Sequence, residues 1–332
     1  MSKLLFFLNL ILIFNICTAS PEPKTWIRVN LLGYTPDGIK VAVWGTKDAS
    51  SPAAPVTFEL IDKTTGKVVF TGDAGKDFGA WGPFTHTFRL NFTAFSNPGN
   101  YQLRLAEASS VPFEIGADVY KGTADFSLQY MRQQRSGYNP FLKDSCHTDD
   151  GYTVYGPMAD STHIDVSGGW HDATDYLQYS MTSANATYHL LAAYRDFPSV
   201  FGDKHQANGL EGKNSVPDIF DEAKWGLDWL LKMHPRPDWL FNQLADDRDH
   251  IGFRLPVNDK ANYGRGTERP VYFVTGEIQG LNKYKNRTQG TSSISGKFSS
   301  AFALGHQLFK KDAYSDLLRS RALSAWEFGL RK

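Results

Sequence analysis

The chain has 332 residues, 41% hydrophobic and 21% charged, with 35 Lys+Arg balancing 35 Asp+Glu. That length and composition suit two globular domains with real cores. The absence of a net charge or a basic segment argues against nucleic acid and against an anionic membrane surface as partners. Aromatic residues reach 14%, including 8 Trp and 15 Tyr. They suit a large core and a ring-lined sugar groove equally well.

The first twenty residues read as a secretory signal peptide. Lys3 supplies the positive start, Leu4 to Ile16 is mostly apolar, and Thr18-Ala19-Ser20 offers small residues for cleavage. The mature chain is therefore expected to be secreted or periplasmic. A lipid anchor on Cys17 is a secondary expectation, weakened by the poor lipobox Phe14-Asn15-Ile16. No other stretch is apolar enough to span a bilayer. After cleavage Cys146 stands alone, which excludes an internal disulfide. It is then a buried apolar residue, a free thiol or a metal ligand.

Residues 25–116 read as β. Short runs such as Ile27–Leu31, Lys40–Trp44, Val56–Leu60, Lys67–Phe70, Thr85–Leu90 and Tyr101–Leu105 are separated by turn-forming segments, including Asp62-Lys63-Thr64-Thr65-Gly66. About seven strands in this length predict an all-β sandwich of immunoglobulin type. From residue 117 the pattern turns helical. Val119–Gln134, Tyr176–Asp196, Pro217–Met233, Phe298–Lys310 and Ala313–Arg331 read as helices, giving an all-α second domain over 117–332. Ser215 is the expected N-cap of the third helix. Long polar loops lie between the helices, a common seat of function.

Asp172 and Asp175 are two carboxylates three residues apart, between Gly168-Gly169-Trp170-His171 and the helix expected from Tyr176. On a turn or helix they share one side. Such a pair can hold a water, one carboxylate taking its proton while the other orients it. The bare pattern D-x-x-D is common, and Asp175 could equally be an N-cap.

The longer string Gly168-Gly169-Trp170-His171-Asp172-Ala173-Thr174-Asp175-Tyr176 resembles the signature around the catalytic aspartates of glycoside hydrolase family 9, where Asp-Ala-Gly-Asp is usual. Trp26–Tyr34 resembles the opening of that family's immunoglobulin-like domain, with Leu31 where Gln is usual. Val216–Met233 resembles the helix after its aspartates. The resemblance implies a secreted endo-β-1,4-glucanase acting by inversion on cellulose-like or mixed-linkage glucans. Asp175 would be the general base and Asp172 its support. Xyloglucan hydrolysis and a non-hydrolytic glucan-binding remnant are the alternatives, and a monomer is expected. The implied fold is an (α/α)6 barrel, of which this chain would hold a part. The family's catalytic acid is a glutamate near the barrel's C-terminal end, and no residue here matches it, Glu268, Glu277 and Glu327 included. The chain is thus expected to be a fragment or a truncated product.

The same resemblance implies further sites. Related enzymes hold a structural zinc through two cysteines and two histidines. Cys146, His147 and His171 match three of these ligands, while Ser136 stands where the second cysteine belongs. Water or Asp149 could complete the set. Asp249 and His250 resemble a substrate-binding groove segment. Asp221-Glu222 offers carboxylates for calcium or a solvent-facing turn. His163 and Asp165 are expected to support the catalytic loop. No cofactor is required by the hydrolysis itself. Sequons stand at Asn91, Asn185 and Asn286.

Overall fold

The computed structural model describes residues 24–50, 56–281, 284–285 and 290–331. The expected signal peptide, Cys17 and the sequon at Asn286 lie outside them. The chain forms two compact units, 1–120 and 121–332. Among the described residues no helix is long and apolar enough to cross a membrane.

The first unit holds eight strands among its described residues: β1 Thr25–Arg28, β2 Val41–Thr46, β3 Thr57–Asp62, β4 Val68–Asp73, β5 His86–Asn91, β6 Gly99–Leu105, β7 Ala108–Ser109 and β8 Phe113–Ile115. One sheet has the order β1-β2-β5. The other runs β4-β3-β6-β7, with β8 also pairing β6. Alternation places Ala42 and Trp44, Phe58 and Leu60, Phe88 and Leu90, and Tyr101 and Leu103 in one shared core. The expected hairpin is present between β3 and β4. Asp62 Oδ1 accepts from Thr64 N–H at 2.7 Å and Thr65 N–H at 2.8 Å, and Gly66 supplies φ +70°.

The second unit holds five α-helices among its described residues: α1 Thr123–Gln133, α2 Ser180–Asp196, α3 Asp218–Met233, α4 Thr291–Leu308 and α5 Ala313–Leu330. The apolar faces of α2–α5 meet in one core that includes Leu191, Leu227, Leu230, Phe298, Phe302 and Leu318. Several helix starts shift from expectation: α1 begins at Thr123 rather than Val119, and α4 at Thr291 rather than Phe298. Gln178–Tyr179 is a strand, so α2 begins at Ser180 rather than Tyr176. Ser215 has φ +70° and does not cap α3; Pro217 occupies the N-cap position.

The all-α expectation for this unit needs correction. Strands β9 Gly137–Asn139 and β10 Asp144–Cys146 form a hairpin. Strands β11 Tyr152–Val154, β12 Gln178–Tyr179, β13 Phe241–Leu244 and β14 Pro270–Phe273 form a second sheet in the order β11-β14-β13-β12. β13 and β14 are buried at every position, so their sequences carry no alternation to betray them. This sheet carries both ends of the region that holds the paired aspartates.

Candidate active site

The loop leading to Asp172 is shaped by α3. Glu222, Trp225 and Trp229 fall on one face of that helix, at spacings of three and four residues. The Trp229 indole donates to Val166 O at 2.8 Å and the Trp225 indole to Gly169 O at 2.8 Å. Glu222 Oε1 accepts from the Trp170 indole at 2.8 Å. Gly226 lies under Trp170, where a Cβ would come within 2.3 Å of the ring.

Gly169 is required twice over. Its φ is +71°, and a Cβ would meet Trp229 Cδ2 at 2.5 Å. Gly169→Ala is therefore expected to cost about 1–3 kcal/mol. The loss would appear as a lower Tm, and an unchanged Tm would contradict this account of the loop.

Beyond Trp170 the chain turns tightly. Asp172 N–H donates to Leu177 O at 2.9 Å, closing a turn that contains Asp175. Tyr176 N–H donates to Asp249 Oδ1 at 2.7 Å. Arg269, 1% exposed, donates to Tyr176 O, to Gln178 Oε1 at 2.6 Å and to Asp150 Oδ2 at 2.6 Å. Gln178 in turn donates to Gly168 O at 2.8 Å, tying the two ends of the loop together. Thr174, where the resembled family has glycine, is not at positive φ, so its side chain introduces no strain.

The two aspartates differ in setting. Partial burial raises the Asp172 carboxyl above the usual carboxylate range, and the neighbouring Asp175 charge adds to this; a hydrogen bond from Thr182 opposes it. Asp175 Oδ2 lies 2.5 Å from His250 Nε2, and His250 Nδ1 lies 3.7 Å from Asp247 Oδ1. Asp175 Oδ1 is buried and has no hydrogen-bond partner among the described residues.

Asp249, expected to line a substrate groove, is taken up by internal contacts. It is fully buried, and its carboxylate accepts from Tyr176 N–H, from Arg254 Nη2 at 2.5 Å and from Tyr263 OH at 2.5 Å. Its place in the fold is to fix the residue after Asp175. His250 is half-exposed and faces Asp175 instead.

Cys146, His147 and His171 come together, with one ligand atom from each within 4.8 Å of the others. Cys146 Sγ is 3.6 Å from His171 Nε2, and His147 Nε2 is 2.9 Å from Asp259 Oδ2. Burial, reinforced by Arg269, lowers both imidazoles and keeps them neutral, the form that binds metals. Burial pushes the Cys146 thiol up to about 11. For Asp259, burial acts upward, but hydrogen bonds from His147 and Arg254 outweigh it and hold the carboxyl well below the usual range.

Three buried polar atoms here lack partners among the described residues: His147 Nδ1, His171 Nδ1 and Ser136 Oγ. Ser136 N–H donates to Gly169 O at 2.9 Å, and neighbouring Gly137 is in register with Cys146. A cysteine–histidine set with orphaned buried nitrogens fits a zinc-like cation. Asp149 is exposed and outside the group, so it does not complete the set. Tyr176 packs its ring against both imidazoles, at centroid distances of 4.7 Å to His171 and 5.6 Å to His147.

The acidic pair considered for calcium is otherwise engaged. Glu222 is fully buried against Arg135 at 2.7 Å, and Asp221 accepts from Asn214 Nδ2 at 2.8 Å. His163 pairs with Glu268 at 2.7 Å, and Asp165 with Lys232 at 2.9 Å. The residues that sequence reasoning missed are Arg269, Asp150, Asp259, Arg254 and Asp247. They lie far along the chain from the loop they serve, and no local pattern marks them.

Residues 120–332 match the family model described as glycosyl hydrolase family 9, and residues 22–110 match that of the cellulase N-terminal Ig-like domain. The chain is 30% identical over 263 residues to a xyloglucan-specific endo-β-1,4-glucanase, BoGH9A of Bacteroides ovatus, covering 74% of this chain and 43% of that protein. It is 29% identical over 246 residues to endoglucanase D of Acetivibrio thermocellus, covering 70% and 37%. Among solved structures it resembles a metagenome-derived glycoside hydrolase family 9 endoglucanase, with TM-score 0.72 and 28% identity, over 93% of this chain and 55% of that one. A Zn-binding triple mutant of the family 9 endoglucanase J30 gives TM-score 0.71 and 27% identity, over 90% and 53%. The chain thus spans less than half the length of these two curated relatives.

Proposed function

The chain belongs to glycosyl hydrolase family 9, and from that premise we propose that it serves the hydrolysis of β-1,4-linked glucans with inversion, Asp175 acting as general base. One observation carries this reading. Asp175 has one carboxylate oxygen held by His250 and the other buried and unengaged, beside a second carboxyl. The free oxygen is the one able to take a proton from an attacking water. Asp172 orients that water, and His250 fixes the base. The acid is a separate carboxyl, about 6.5–9.5 Å away across the sugar in an inverting enzyme.

Cellulose-like and mixed-linkage glucans are the proposed substrates. Xyloglucan is the second reading, favoured by the specificity of the Bacteroides ovatus relative. The helices α1–α5 are read as part of an (α/α)6 barrel, and the protein as a secreted monomer. Reducing-sugar release from carboxymethylcellulose, mixed-linkage glucan and xyloglucan tests the activity, for this chain and for any longer product of the same gene. Failure of both on all three substrates would overturn the reading.

Cys146, His147 and His171 are proposed to hold a structural zinc, whose role is to pin the loop carrying Asp172. Asp259 orients His147 from behind. Zinc is expected to raise Tm, and a chelator to reverse the rise. Ser136→Cys adds a second thiolate and should tighten zinc by at least about tenfold, the smallest effect ascribed even to outer-sphere partners. Metal content of the purified protein and zinc titration monitored by Tm both read this without turnover. No metal uptake by either form would sink the assignment.

A further inference from the structure

Strand register lays out the outward face of the β1-β2-β5 sheet in the first unit. Arg28 pairs with Val43 and Val43 with Arg89; one step along the same face, Trp26 pairs with Gly45 and Gly45 with Thr87. Gly45 leaves room for the Phe84 ring, since a Cβ there would lie 2.8 Å from Phe84 Cγ. Phe84 packs on Trp26 at a centroid distance of 5.5 Å.

A tight turn rises beside this floor. Trp81 and Phe84 exchange two backbone hydrogen bonds of 3.1 Å, and Gly79 and Gly82 adopt φ +81° and +55°. The turn presents Trp81 at 73% exposure and Phe78 at 46%. Together they wall a cleft of about 640 Å³, within the size range of ligand sites. The Arg89 guanidinium sits 4.4 Å from the Phe78 ring centroid and Lys76 Nζ 5.1 Å from it. Neither Arg28 nor Arg89 has a carboxylate partner among the described residues. A rigid turn that holds a tryptophan out in water, over a floor with two unpaired guanidinium groups, is not explained by the unit's own stability.

We propose that this cleft binds a polysaccharide chain carrying carboxylates, a β-linked glycan substituted with uronic acid. Exposed ring faces pack against the C–H faces of sugars. A guanidinium stacked on a ring keeps its N–H edge free for bidentate contact with a carboxylate. Arg28 and Arg89 stand two strand spacings apart, roughly 10 Å, so one extended chain crosses both. The positive charge argues against a neutral glucan as the preferred ligand. An acidic peptide fits less well, because this is a sheet face with its strands already paired and it offers no edge for strand addition. The site needs no turnover and stands apart from the reading of Asp175.

Isothermal titration of the full chain against glucuronoxylan at low salt tests the proposal, with the carboxyl-reduced polymer, cellohexaose and polyglutamate as comparisons. Glucuronoxylan should bind. Trp81→Ala and the double change Arg28→Gln/Arg89→Gln should each weaken it about tenfold, the effect of one lost ring face or ion pair. Tm should hold, since these side chains are exposed. Reduction of the carboxyls should weaken binding similarly, and Trp81→Ala should leave any cellohexaose binding untouched. The proposal is overturned if the variants bind as well as the parent, if the reduced polymer or polyglutamate binds as tightly as glucuronoxylan, or if Trp81 proves to mediate self-association instead.

Discussion

Asp175→Asn is expected to lower kcat/KM on β-glucan by about 10³-fold or more, the scale of losses on removing an essential catalytic group. The amide retains the size of the side chain and can still accept from His250 through its oxygen. What it lacks is the anionic oxygen that now lies buried and unengaged. Binding of glucan should persist, because the change removes a proton acceptor rather than a surface. Near-normal turnover would falsify the role of Asp175. The substitution also removes a charge that helps raise Asp172. The Asp172 carboxyl should then titrate at lower pH, staying ionised further into acid, as carboxyl-directed NMR can read. An unchanged titration would mean that the two carboxyls do not sense each other.

Glu222→Ala is expected to cost about 3–5 kcal/mol of stability, the scale of breaking one side of a buried ion pair. Glu222 is fully buried; its carboxylate accepts from Arg135 at 2.7 Å and 3.2 Å and from the Trp170 indole at 2.8 Å. Alanine would leave Arg135, itself 1% exposed, as an uncompensated buried charge. It would also free Trp170, two residues before Asp172. Glu222→Gln keeps an acceptor for the indole and should lose less. Denaturant midpoints measure both. A loss for the alanine variant near 0.5 kcal/mol, the range of ordinary surface changes, would show that the network does not hold the loop.

The sequence made the order of the chain legible. Strands announced themselves by turns such as Asp62–Gly66, and α3 by its apolar stripe. The Gly168–Tyr176 string located the paired carboxylates because its residues are contiguous. What stayed hidden was whatever depends on distant partners. β13 and β14 are buried on both faces and carry no period. Asp249 reads as a groove residue only through the family resemblance, with a solvated acidic loop as the alternative; the fold brings Tyr176 N–H, Arg254 and Tyr263 around it. Glu222 read as a candidate for calcium or solvent for the same reason, while Arg135 lies 87 residues away in sequence. Charge type can be read along a chain, but charge pairing is a property of packing.

The anchoring of the loop that carries Asp172 and Asp175 on α3 has a consequence for the time course of folding. The bonds from Trp225, Trp229 and Glu222 to the loop close separations of 52 to 63 residues. A nascent chain that has emerged only as far as Asp175 holds both aspartates but none of these anchors. Closing so long a segment carries an entropic cost that is recovered only when the indoles dock. The loop should therefore acquire its shape late, after α3 has been synthesised and packed. Pulse-labelling hydrogen exchange should then find the Asp172 amide protected in the same phase as the amides of α3, not with those of α1.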